Sequence, residues 1–180
     1  MTEKINWELV TIKELAGIIS SLLTKNNISA ILVGGACVSI YSKNKYMSYD
    51  LDYVTYSTIQ EIIPVLEKLG FKQEGMRHFK NKDCKYYIEF LSPPVSIGKE
   101  ESVKRYNDMR TKRGRVILLT ATDCVKDRLA AYYHWNDPQS LDQALNVAKK
   151  QEINLKDIER WSIEEGAQKK FKRFQKLLNK

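Results

Sequence analysis

A chain of 180 residues, 43% of them hydrophobic, is long enough for one packed domain, or for one domain with a small appendage. No run approaches the ~18 apolar residues of a membrane-spanning helix. Three scattered cysteines without CxxC spacing, with only two histidines, argue against a disulfide framework and against a zinc site, and predict reduced thiols. A formal net charge of +8 favours polyanionic partners without requiring one. The first residues, MTEKINWELVTIKELAG, carry acids and lack the pattern of a secretory leader, which predicts a cytoplasmic protein.

From Thr11 to Asn26, Ile12, Leu15, Ala16, Ile19, Leu22 and Leu23 form a helical stripe. Ile28 to Val33 reads as a buried strand that stops at Gly34-Gly35, and Ala36 to Tyr41 as a short helix starting at the glycines. Its free N–H groups suit a bound phosphate. After a polar loop, Tyr49-Asp50-Leu51-Asp52-Tyr53-Val54 alternates as a strand. Side chains two apart on a strand share a face, about 6.6 Å apart. Asp50 and Asp52 therefore project together, with Leu51 and Tyr53 opposite. Two such carboxylates resist joint ionisation unless a cation joins them, and hard divalent ions suit oxygen donors.

Ser57 or Thr58 caps a helix over Ile59 to Leu69, in which Pro64 predicts a kink or a late start. Phe71 to Glu74 and Met76 to Lys80 read as short strands around Gly75. Cys84 to Leu91 alternates, with Tyr87, Glu89 and Leu91 on one face. An acid in so apolar a strand is costly to bury unpaired; Lys85 or an arginine is a candidate partner for Glu89. The charged stretch Glu100 to Arg113 is expected to be helical, and Arg115 to Leu119 a strand. Helices follow over Asp123 to Trp135, from Ser140 onward, over Leu155 to Glu165 and over Ala167 to Leu178. The fold class is therefore α+β: a mixed sheet with flanking helices in residues 1–119, then a helical bundle in 120–180 packed on it.

At Val33-Gly34-Gly35, Asp50-Leu51-Asp52 and Glu89 the chain resembles the nucleotidyltransferase superfamily typified by DNA polymerase β. The shared pattern is a glycine turn, a short helix, a DhD strand and a third acid on a later strand. Ser48 matches a small hydroxyl residue two before the first Asp. Within the superfamily the chain looks like minimal bacterial members near the AbiEii-type toxins, and LLTATDCVKDRLAAYYHWND looks like their helix with a lysine and then an aspartate. It departs from them at Gly35, where many active members have Ser, at Tyr46, where toxin relatives have an arginine, and at Asp137, which lacks a second Asp three residues on. The third acid is Glu89 rather than an aspartate.

The resemblance implies a Mg²⁺-dependent nucleotidyltransferase. Asp50, Asp52 and Glu89 would be the catalytic and metal-holding residues for two Mg²⁺ ions, with NTP as substrate. Gly34, Gly35, Ser48 and Lys126 would contact phosphates. It implies an acceptor hydroxyl or phosphate on RNA (tRNA-like), a protein or a small molecule, and a toxin–antitoxin or phage-defence role with an antitoxin partner. The alternative is a catalytically reduced member that binds nucleotide or a protein. Lys126 is otherwise an ordinary salt-bridge lysine, Asp127-Arg128 a structural ion pair, His134 and Trp135 a packing cluster at a helix end, and Cys37 and Cys124 buried apolar groups. Lys104 to Arg115 and Lys169 to Lys176 are basic stretches that suit RNA phosphates or a solvated face.

Overall fold

The computed structural model describes residues 5–99 and 102–180. The element order is α1 (Ile12–Lys25), β1 (Ala30–Val33), α2 (Gly34–Tyr41), β2 (Asp50–Thr55), α3 (Ile59–Glu67), β3 (Lys72–Glu74), β4 (His78–Lys80), β5 (Tyr87–Leu91), β6 (Tyr106–Thr111), β7 (Gly114–Leu119), α4 (Ala121–Trp135), α5 (Pro138–Ala148), α6 (Leu155–Glu164) and α7 (Gln168–Leu178). The seven strands form one mixed sheet in the order β3-β4-β5-β2-β1-β7-β6. The α+β class is as expected. Among the described residues, no helix is long and apolar enough to cross a membrane.

Two compact units interleave along the chain. Among the described residues, the first lies within 1–36, 48–93 and 108–118, and the second within 37–47, 94–107 and 119–180. Residues 37–47 and 94–107, inside the expected 1–119 front, thus group with the helices.

In the first unit, α1 starts at a capping box: the Thr11 hydroxyl accepts from the Glu14 N–H, and the Glu14 carboxylate accepts from the Thr11 N–H. Thr58 and Glu61 repeat the device at α3, so α3 starts at Ile59 rather than late and runs through Pro64. β2 pairs antiparallel with β1 and parallel with β5. Leu51, Tyr53, Ile88, Phe90 and Phe79 fill one face of β2, β5 and β4 and are buried. The Tyr53 ring stacks on Phe90 at 5.9 Å, and Phe79 meets Phe90 edge-on at 5.7 Å. The Tyr53 hydroxyl reaches Ser20 Oγ at 3.0 Å and donates to the Ala16 carbonyl at 3.2 Å, which ties this face to α1. With its apolar residues committed to that side, the sheet carries Asp50, Asp52 and Glu89 on the other.

The expected helix over Glu100 to Arg113 is not formed. Residues 102–105 carry no regular structure and Tyr106–Thr111 is strand β6; Glu100 and Glu101 lie outside the described residues. A hairpin turn at Lys112-Arg113 leads into β7, and Arg115 clasps Asp108 on the facing strand in a bidentate pair. Charge density had hidden an alternating strand.

In the second unit, α4 opens at Thr120, whose hydroxyl accepts from the Asp123 N–H. Val125, Leu129, Tyr132 and Tyr133 are buried, as their spacing predicts. α5 begins at Pro138 and not at Ser140, because Asp137 caps it and proline suits the first helical position. At the end of α4 the His134 and Trp135 rings meet edge-on at 6.3 Å, as expected of a helix-end cluster, although Trp135 is 77% exposed; His134 also contacts Glu165 at 2.8 Å. Arg128 pairs with Asp127 as expected, Nε to Oδ2 at 3.0 Å.

Candidate active site

The site starts from a backbone register. β1 places Val33 opposite Asp52, and Gly34 follows at once with φ +65°. A Cβ at Gly34 would overlap the Asp52 carboxylate, so only glycine lets the turn approach this closely. α2 begins at that turn, and its first N–H groups are free of intrahelical partners.

On β2, Asp50 and Asp52 are half-buried on one face. Ser48, itself 3% exposed, does not stand free toward a ligand. Its hydroxyl donates to Asp50 Oδ1 and lies 3.2 Å from the Asp50 carbonyl, so it orients the first carboxylate. Parallel pairing sets Asp50 opposite Tyr87 and Asp52 opposite Glu89. All three acids therefore share a face, on adjacent strands about 4.8 Å apart.

They do not form a preformed cage. Among the described residues, no three His, Cys, Asp or Glu side chains gather closely enough to hold an ion. Glu89 contacts neither Lys85 nor an arginine in the way its sequence context suggested; its Oε2 lies 3.2 Å from His78 Nε2. The donor set still fits Mg²⁺. That ion is usually held by one or two carboxylates together with substrate phosphates, rather than by an all-protein cage. Carboxylates directly opposite one another destabilise a sheet, and a cation there offsets the repulsion.

Lys126 sits in the second unit and is 3% exposed. Its ammonium lies 2.8 Å from Asp157 and 4.0 Å from Asp123. Burial pushes the Asp157 carboxyl up, but hydrogen bonds from Lys126 and Arg160 outweigh it and hold that carboxyl below the usual range. These groups line a cavity of about 630 Å³ that also takes Lys104, Arg105 and Thr122. Lys126 is thus a buried, paired lysine. Cys37 and Cys124 are fully buried, and burial pushes both thiols up, so neither is a nucleophile.

Sequence reasoning missed His78. Its place opposite Glu89 depends on the register of the β4–β5 hairpin, which single-residue patterns do not reveal.

No protein-family model matches this sequence, and no curated protein matches it. Solved structures do. The lincosamide antibiotic adenylyltransferase LnuA, lincomycin-bound, is 15% identical over 79% of this chain and 99% of its own, with a TM-score of 0.54. An antigenic nucleotidyltransferase-like protein from Paracoccidioides brasiliensis is 12% identical over 76% of this chain and 73% of its own, also at 0.54. The chain therefore has a nucleotidyltransferase fold.

Proposed function

We propose that this protein transfers a nucleotide from an NTP to an acceptor in a Mg²⁺-dependent reaction. The observation that carries the proposal is the Asp50–Asp52 pair on the open sheet face, with Asp52 against the Gly34 turn. Asp50 and Asp52, with Glu89 beside them, would hold the Mg²⁺ ions, and Ser48 fixes Asp50 for that task. The Gly34-Gly35 backbone, at the start of α2, would receive triphosphate oxygens. Bound Mg²⁺ supplies charge neutralisation at the α-phosphate and the leaving pyrophosphate. The acceptor oxygen bonds to the α-phosphorus, the bond to pyrophosphate breaks, and Glu89 takes the acceptor proton. The protein's share is position and electrostatics.

The acceptor classes in this reading are RNA (tRNA-like), a protein, or a small hydroxyl compound; the likeness to an antibiotic adenylyltransferase supports including the last. An RNA acceptor predicts binding that weakens steeply with salt and a flatter salt slope when Arg110, Lys112 and Arg113 of the β6–β7 hairpin are replaced together. A toxin role with an antitoxin partner predicts growth arrest on expression, relieved by Asp52→Asn. The primary test is a panel of four labelled NTPs with total RNA, protein extract and hydroxylated small molecules as acceptors. Label incorporated by the wild type and lost in Asp52→Asn supports the reading; no incorporation with any pair counts against it.

One observation favours the second reading, a catalytically reduced nucleotide binder. Lys126, which the resemblance assigns to the triphosphate or the acceptor, would first have to leave Asp157. That reading predicts NTP binding without transfer.

A further inference from the structure

The open face of β3, β4, β5 and β2 carries a continuous cross-strand row. Glu74 lies opposite His78, His78 opposite Glu89, and Glu89 opposite Asp52. Within it, His78 Nε2 is 3.2 Å from Glu89 Oε2. The Tyr87 ring, tilted against the imidazole, has its centroid 6.5 Å away. Glu89 is the less exposed partner, with 28% of its side chain open against 50% for His78. One oxygen of the carboxylate is thus engaged from the β4 side, while Asp52 stands on the β2 side. A glutamate has three rotatable side-chain bonds, and left alone beside another carboxylate it would swing away from the like charge.

We propose that His78 is a positioning residue that holds Glu89 beside Asp52, so that the free oxygen of Glu89 completes the cation site when the metal–nucleotide complex arrives. The proposal rests on the nucleotidyl-transfer reading above. An ordinary exposed ion pair has the same distance but no consequence at Asp52. His78 differs because it acts on the one acid that the sheet register sets against Asp52.

The test is binding of Mn²⁺ with each of the four NTPs to the full chain, read by water-proton relaxation. The variants are Asp52→Asn, His78→Ala, His78→Gln, Glu89→Gln and the His78→Ala/Glu89→Gln pair. Asp52→Asn should abolish the complex. His78→Ala and Glu89→Gln should each weaken it about fivefold, and the double variant should be no weaker than either alone. His78→Gln, which keeps an N–H donor, should recover most of the loss. Unchanged affinity in His78→Ala, or additive losses in the double variant, overturns the inference while the transfer reading stands. Wild-type affinity in Asp52→Asn overturns the transfer reading, and this inference with it.

Discussion

Charge is arranged differently along the buried helices of the second unit and on the acid-bearing strands of the first. In the second, Lys126 is paired with Asp157 and Arg128 with Asp127, and the His134 ring meets Glu165, whose carboxylate also accepts from the Lys99 N–H at 2.6 Å. These pairs are partly or wholly buried, where an ion without a partner is strongly destabilising. In the first, Asp52 and Glu89 stand directly opposite one another on neighbouring strands, with Asp50 two residues along. A sheet that serves only stability has no reason to set like charges side by side. The first unit also holds a matched pair, Arg115 with Asp108, so it is the like-charge neighbours Asp52 and Glu89 that set the candidate site apart.

That contrast can be broken or sharpened by substitution. The largest effect is expected in the second unit. Lys126→Met keeps the stem but strands Asp157, and should cost about 1.5–3 kcal/mol of stability in urea unfolding, the scale of a hydrogen bond between charged groups. A neutral result would make Lys126 free to serve a ligand. At the turn of the first unit, Gly34→Ala forces a left-handed alanine and displaces the Asp52 carboxylate. It should cost about 1–2 kcal/mol and abolish metal-dependent NTP binding. On the acid face itself, Asp52→Asn should leave stability unchanged or raise it by up to about 1 kcal/mol, because it relieves repulsion across the strands. Destabilisation there would mean that Asp52 is structural.

The smallest effect is on pH dependence. The Asp157 carboxyl is held below its ordinary value, near 3.9 in an unfolded chain. Its contribution is therefore complete above about pH 5 and is lost as pH falls through the lowered native value. Stability of the wild type should fall on acidification below about pH 4, and Lys126→Met should fall less steeply over the same range.

Much of this was legible in the residues, and the gaps have physical causes. The alternation in Asp50 to Val54 and Tyr87 to Leu91 gave the buried and open faces, because strand side chains alternate whatever the topology. The stripe from Ile12 to Leu23 gave α1 for the same kind of reason. Residues 106–111, YNDMRT, read as helix because charge swamped a weak alternation, and their strand is fixed by cross-strand bonds such as Arg115 to Asp108. The turn chemistry of Arg113-Gly114, just ahead of an apolar run, was the missed cue. Ser48 read as a phosphate contact, yet it folds back on Asp50 through a two-residue turn. The buried pairing of Lys126 and the placing of His78 depend on partners 31 and 11 residues away, which no local pattern encodes.

The central claim is that Asp50 and Asp52 form a metal-dependent nucleotide site. Isothermal calorimetry of each NTP, with Mg²⁺ and with EDTA, on the wild type and on Asp52→Asn, tests it most directly. The account predicts that the wild type binds at least one NTP only with Mg²⁺, and that Asp52→Asn, equally stable in urea, binds none. Equal NTP binding by the two proteins, or binding indifferent to Mg²⁺, would contradict it.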